Sequence, residues 1–401
     1  MICRALLVAV LIAFGGTPIQ AEPEMSKDDA YWLKLFADVV ARTKENFVTT
    51  VSTQQLVEAG LKGMLTSLDA HSMFIEPAEY TKLRNKYKGT YAGLGMEILL
   101  SNEGVKVVSA MDEGPAQKAG LRAGDMILSI NGQPLQALPR SVIMDRIHKA
   151  KDLQISLEIF REHAVPFTVT LRKELIPLKP VKWRMMDKVG YIKINMFNEK
   201  TATQVELAIQ DLKKKSNPLI GLVLDLRNNP GGLFDQSILV ASCFLDKKEV
   251  VSVRGQKGVT VQRYHSRAAD RLKNVPIVVL VNEGTASSAE ILAGALQDHK
   301  RALVMGQRTC GKGSIQTIFP LTRHKSAMQI TTGEYFTPQG RSLHKKGVLP
   351  DVLIENAVVI SKEKVLENGK TIKTIKRSSE DLTIARAMDF LVGYNMYRYH
   401  G

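Results

Sequence analysis

Three stretches of this sequence hold residue types that could do chemistry. The first is Asn282–Glu290 (NEGTASSAE), which follows an apolar run and opens an amphipathic one. A serine where a buried strand turns into a helix presents its hydroxyl at the strand end. The helix N-terminus beside it offers amide donors and a positive dipole end to a developing oxyanion. The plainer alternative is a capping box, since Ser287 and Glu290 have the S-x-x-E spacing. The second stretch is Thr309–Gln316 (TCGKGSIQ), where Lys312 lies between Gly311 and Gly313. Flanking glycines let the backbone turn sharply and approach other groups. A lysine whose charge is disfavoured by burial can take the proton of a serine, and no histidine is then needed. The alternative is a lysine on a surface loop. The third stretch, Leu224–Gly232 (LDLRNNPGG), again follows an apolar run. Its glycines could aim N–H groups at a substrate as an oxyanion hole, or could simply turn the chain into the helix expected from Asp235.

Other chemistries fit less well. Gly306 to Lys312 has the GxxxxGK spacing of a phosphate loop, but Gly313 stands where Ser or Thr must bind magnesium. Ser314–Leu321 reads as strand, whereas a phosphate loop must open a helix. There is no HExxH and no His or Cys pair at metal-ligand spacing, so a metalloenzyme is disfavoured and no cofactor is expected. Beyond Cys3, the two cysteines Cys243 and Cys310 do not make a disulfide framework and are expected as free, mostly buried thiols.

The elements that would position these residues fall into blocks. Residues 1–21 read as a signal peptide: Arg4, ten apolar residues from Ala5 to Phe14, then Ile19-Gln20-Ala21 as a small-residue cleavage site. Ten apolar residues are too few for a bilayer, which needs about 20; an uncleaved anchor is the alternative. The mature chain is then expected in the periplasm or secreted. Residues 22–87 are helical in pattern. Residues 88–174 change to short strands and glycine turns, with Asn131-Gly132 as a hairpin signal and a helix expected over Ser141–Ala150. Residues 175–355 alternate buried strands and helices, which implies a largely parallel sheet covered on both faces. Residues 356–401 read as charged strand, then helix. The formal charge of +15 permits nucleic-acid binding, but a secretory leader argues against it. Attraction to an anionic membrane or cell wall is the better use of that charge, unless it only decorates solvated faces.

Together these stretches resemble one family, the carboxyl-terminal processing peptidases, also called tail-specific proteases. The resemblance runs over almost the whole mature chain: LDAHSMFI (68–75), GLGMEI (93–98), EGPAQKAGLRAGDMILSINGQPL (113–135), DLRNNPGGLFD (225–235), the segment 282–316, and TTGEYFTPQGRSLHKKGVLPD (331–351). It implies a multidomain α/β protein: a helical N-terminal segment, a β-rich PDZ domain and a crotonase-like α/β protease core. It implies Ser287 as nucleophile and Lys312, at 312 − 287 = 25 residues on, as base. Gln316 would orient the lysine. Oxyanion donors would come from Gly231 or Gly232 and from Ser288. Two departures stand out. The family's TASASE is TASSAE here, which moves the second serine to Ser288, and the phenylalanine before Gly-Lys is Cys310.

The PDZ reading also rests on the residues themselves. Gly93, Leu94 and Gly95 form a loop whose amides can hold a C-terminal carboxylate, and the strand from Met96 can pair with an extended peptide. Expected partners are therefore proteins or peptides with accessible C-termini. An activating adaptor protein and self-association are left open. The resemblance implies a serine endopeptidase that cleaves near C-termini. A PDZ scaffold with an inactive core is the rival, which the complete set of Ser287, Lys312 and Gln316 argues against. A trypsin-like protease is the other, which lacks its GNSGG motif here.

Overall fold

The computed structural model describes residues 26–101, 104–111, 114–135, 138, 142–143, 154–216, 218–255, 260–267, 270–354, 360–365, 371–375 and 381–400. The expected leader and most of the helix expected at Ser141–Ala150 lie outside them; Val142 and Ile143 are helical.

Helices α1 (Lys27–Asn46) and α2 (Thr53–Thr66) form a unit by themselves. Ser26 caps α1 by accepting from the Asp29 amide, and Ser52 and Gln55 cap α2 reciprocally. Gly60 lets the pair meet, because a Cβ there would come within 2.9 Å of the Phe36 ring.

The second unit starts with β1 (Met73–Ile75), α3 (Pro77–Tyr87) and β2 (Thr90–Gly93). The strand-rich module follows: β3 (Met96–Ser101), β4 (Gly104–Ala110), the short α4 (Pro115–Lys118), β5 (Met126–Ile130), β6 (Gln133–Pro134), β7 (Gln154–Phe160) and β8 (Phe167–Arg172). Its antiparallel sheet runs β3-β4-β5-β7-β8, which leaves β3 at an edge. Asn131 and Gly132 both take positive φ, 49° and 74°, in the turn between β5 and β6. The alternation of β7 sends Ile155, Leu157 and Ile159 into the module's core. Buried Asp125 accepts from the Arg122 amide (2.8 Å) and from Arg161 Nε (2.7 Å) and Nη2 (2.9 Å). β9 (Glu174–Pro177) returns to pair with β2.

The core contains β10 (Val181–Met186), β11 (Val189–Ile194), α5 (Thr201–Lys215), β12 (Gly221–Asp225), α6 (Phe234–Ala241), β13 (Glu249–Arg254), β14 (Thr260–His265), β15 (Ile277–Val281), α7 (Ser288–Asp298), β16 (Leu303–Gly306), β17 (Ser314–Leu321), β18 (Ser326–Phe336) and β19 (Val352–Leu353). The hairpin β20 (Ile360–Val365) and β21 (Thr371–Ile375) and the helix α8 (Leu382–His400) follow. The central sheet runs β10-β11-β12-β15-β16-β19, parallel except for β10. Leu222, Leu224, Val279 and Val281 face one side, where Val205, Ile209, Leu212 and Leu292 of the helices pack. Val223, Val278 and Leu280 face the other, where α8 supplies Ala387 and Leu391. Burial on both faces is why these strands read as unbroken apolar runs. A second sheet, β1-β18-β13-β14, has β17 also paired to β18. Helix α6 starts at Phe234, one residue before the expected Asp235, and ends at Ala241, beyond which Cys243 and Phe244 donate to the third residue back instead of the fourth.

Candidate active site

The C-terminal ends of β12, β15 and β16 release three loops on one side of the sheet, where open parallel sheets expose ligand sites. These loops hold the three stretches singled out above. Asn228 and Asn282 join the first two: the Asn228 amide donates to Asn282 Oδ1 (2.8 Å), and Asn282 Nδ2 donates to Asn228 Oδ1 (2.9 Å). Thr285 Oγ1 donates to the Leu226 carbonyl (2.9 Å), and the Ala286 amide to the Asn229 carbonyl (2.9 Å). The base of the first loop is fixed by buried Asp225, which accepts from Arg227 and from the Tyr191 hydroxyl (2.8 Å). Burial, and then the Asp225 charge, push that phenol well above its ordinary range. Arg227 Nη1 also donates to Asp381 (2.9 Å) at the start of α8.

Ser287 sits at the junction with φ 55° and ψ −121°, a conformation that side-chain-bearing residues rarely adopt. It lines a cavity of about 990 Å³ together with Lys312, Gln316, Gly231 and Gly232. Ser288 is buried, and its hydroxyl donates to the Gly232 carbonyl (3.0 Å). The two serines thus differ in access: one faces the cavity and its neighbour braces the glycine turn. That turn packs closely on them, since a Cβ at Gly231 would lie 2.8 Å from Ser287 Cβ. The Gly231 amide is engaged by Asn229 Oδ1 (2.9 Å). Gly232, at φ 140°, has the Phe197 carbonyl oxygen 2.0 Å from where a Cβ would be.

Glu290 does more than cap a helix, and sequence reasoning missed this. Its carboxylate is fully buried and receives four donors: the Ser287 amide (2.8 Å), the Lys312 amide (2.9 Å), the Gly311 amide (2.7 Å) and the Thr309 hydroxyl. One side chain therefore fixes the backbones of both the serine and the lysine. The available signal was a charge in the otherwise apolar stretch of Ala289 to Leu296.

The lysine loop is braced elsewhere too. Lys345 donates to the Gly311 carbonyl (2.7 Å) and Tyr335 to the Gly313 carbonyl (2.7 Å), both through backbone amides. Gly313 allows this approach, because a Cβ there would meet the His344 nitrogen at 2.1 Å. Lys312 is thus no loose surface residue. The Gln316 side-chain nitrogen donates to Ser314 Oγ (3.0 Å) and Thr331 Oγ1 (3.3 Å), which leaves its carbonyl oxygen for another donor. A bulge between Ile315 and Gln316 in the β17–β18 pairing accompanies this placement. The expectation of mostly buried thiols fails for Cys310, which is exposed. Its backbone amide is drawn inward to the Thr285 carbonyl (3.0 Å). Cys243 is buried, and burial pushes its thiol up to about 12.

The cavity's apolar wall is aromatic. Phe234 stacks on Tyr335 (5.4 Å, 7°) and meets Tyr264 edge-on (4.8 Å, 82°). Of the residues expected to hold a peptide tail, Gly93, Leu94 and Met96 line a second cavity. Gly95 (φ 72°) stands behind them, close to Gly114 and Pro115. No group of His, Cys, Asp or Glu among the described residues could hold a metal ion.

Comparison with known proteins agrees with this architecture. Residues 188–354 match the model of peptidase family S41, and residues 85–160 match that of the PDZ domain. The chain is 40% identical over 326 residues to a carboxy-terminal-processing protease of Bartonella bacilliformis, covering 80% of this chain and 75% of that one. It is 32% identical over 362 residues to a probable CtpA-like serine protease of Staphylococcus aureus, covering 88% and 72%. Among solved structures it resembles a photosystem II D1 C-terminal processing protease, with TM-score 0.51 and 30% identity over 81% of this chain and 94% of that one. The chain belongs to peptidase family S41, as a PDZ-bearing serine protease of the carboxy-terminal-processing type.

Proposed function

We propose that this protease works with a Ser287/Lys312 dyad on substrates whose C-terminal tails are read by the PDZ module. The observation that carries the dyad is Glu290, one buried carboxylate that holds the backbones of both residues beside a shared cavity. The neutral Lys312 amine takes the Ser287 proton as Oγ attacks the scissile carbonyl carbon. The tetrahedral oxyanion faces the amides of Gly232 and Ser288, since that of Gly231 is already engaged. Collapse breaks the C–N bond, and the lysine returns the proton to the departing amine. Water then attacks the acyl-enzyme and gives a proton to the lysine, which passes it to Ser287 Oγ as the ester C–O bond breaks and the acid leaves. Gln316 offers its carbonyl oxygen to the ammonium in the charged state.

Tail reading is supported by the edge position of β3 beside the Gly93–Met96 loop, which suits addition of an extended strand. Export to the periplasm or beyond is supported by the leader-like residues 1–21, and no helix among the described residues is long and apolar enough to cross a membrane. Peripheral attachment, an adaptor and self-association belong to the same proposal as partners that the basic charge and the family leave room for. The test compares Ser287→Ala with Ser288→Ala on a peptide substrate. Turnover is expected to vanish in the first and to persist, reduced, in the second. The reverse pattern would move the nucleophile by one residue.

A further inference from the structure

Arg227 stands just past β12 with its side chain only 16% exposed, held between two carboxylates. On one side is Asp225, buried at the end of β12, which accepts from Nε (3.0 Å) and Nη2 (2.7 Å). On the other is Asp381, which accepts from Nη1 (2.9 Å) and lies 2.7 Å from Nη2. Asp381 is also the cap of α8: its Oδ1 accepts from the Thr383 (3.2 Å) and Ile384 (3.3 Å) amides. Burial works against its charge, yet the hydrogen bond and charge of Arg227 hold its carboxyl below the usual carboxylate range.

Helix α8 packs on the face of the central sheet opposite to α5, α6 and α7. Its Leu391 lies at the start of β12, where a Cβ at Gly221 would come within 2.9 Å of Leu391 Cδ2. Its cap, Asp381, meets the loop beyond the other end of that strand. The helix thus runs back along β12 and ends on the active-site loop. The residues after Arg227 carry this anchor onward. Asn228 is paired with Asn282, and the Asn229 carbonyl accepts from the Ala286 amide, one residue before Ser287. Asn229 Oδ1 accepts from the Gly231 amide. A cavity of about 200 Å³ is lined by Lys193, Arg227, Asn228, Asn282, Asp381 and Thr383, so the two carboxyl-bound edges of this loop and its asparagine pair border one space.

We propose that Asp381 is a positioning residue for the protease reaction: by clamping Arg227 against Asp225 it fixes the entry of the turn over residues 228–232, and so ties the oxyanion donors to the docking of α8. The proposal rests on the oxyanion role given above to Gly232 and Ser288. It extends the machinery to a carboxylate outside the substrate cavity. A guanidinium bonded at both edges of its planar fork cannot swing. Without Asp381 one edge hydrates, and the loop entry samples more than one arrangement. Oxyanion donors that miss their geometry then slow the chemistry and leave substrate binding intact.

The test is steady-state kinetics on a short peptide with the full chain carrying Asp381→Ser. Serine caps a helix about as well as aspartate, so α8 keeps its cap while Arg227 loses the carboxylate. The expected result is a kcat about 10-fold lower, a KM within about 2-fold of the parent and a melt close to the parent's. Sodium formate should restore part of kcat, where sodium chloride at equal ionic strength does not, because a carboxylate of that size fits the cavity beside Arg227. Native kcat in folded Asp381→Ser would overturn the proposal. A loss that formate leaves untouched would assign the defect to the cap of α8 and overturn it equally. If Asp381→Ser does not fold, Asp381→Asn carries the test: it keeps the cap and one neutral acceptor, and its kcat should be about 3-fold lower. Native kcat there would also overturn the proposal. Ser287→Ala is run beside these variants; turnover that survives it would mean that the dyad reading has failed and the proposal with it.

Discussion

Replacing Glu290 by glutamine keeps the shape of the side chain and removes half of its accepting power. In the native chain one oxygen takes the Ser287 and Lys312 amides and the other takes the Gly311 amide and the Thr309 hydroxyl. A glutamine NH₂ in the first position opposes two backbone N–H groups. In the second it opposes one N–H and a hydroxyl that already accepts from the Val348 amide (2.7 Å). Either orientation leaves at least one buried backbone donor without an acceptor, at about 1–3 kcal/mol each. The variant should therefore lose about 2–4 kcal/mol of stability in denaturant titration. Its kcat should fall by about 10²-fold, because the serine and the lysine lose their shared anchor and small misplacements are costly. KM should change little, since Glu290 does not line the substrate cavity. Steady-state kinetics on a short peptide, read beside the melt, makes the check. Native kcat in a folded Glu290→Gln protein would refute the claim that this carboxylate positions the pair.

Gly232→Ala should cost about 10²-fold in kcat with KM nearly unchanged, because a Cβ meets the Phe197 carbonyl and pushes the turn away from the oxyanion; native kinetics would remove Gly232 from that role. Asp125 gives a pH signature. Its hydrogen bond to Arg161 holds its carboxyl below the ordinary carboxylate range, so the contribution is complete above pH ~4 and is lost as pH falls through the native value. Acid titration of the melting temperature should decline less steeply in Asp125→Asn than in the parent, and equal slopes would show that this pair does not drive acid lability.

The sheet and its loops were legible because burial on both faces writes strands such as Ile277–Val281 as unbroken apolar runs. Ser287 and Lys312 are proposed from their spacing within a family pattern. Neither residue announces itself locally, since serines cap helices and lysines occupy loops for ordinary reasons. The part played by Glu290 was hidden for a physical cause: three of its four donors lie 19 to 22 residues away, and a capping box explains its position without them. The long β18 and its pairing with β1 were not foreseen, because partners some 250 residues apart leave no local pattern.

Trapping the acyl-enzyme tests the dyad most directly. The protein is mixed with a slowly deacylated peptide ester, quenched in acid and measured by intact-mass and fragment mass spectrometry. An adduct should form on Ser287 in the native protein and be absent in Ser287→Ala. It should form at least about 10²-fold more slowly in both Lys312→Ala and Lys312→Arg, since neither side chain can accept the serine proton. An adduct on another residue, or one that forms at the native rate without Lys312, would contradict the account.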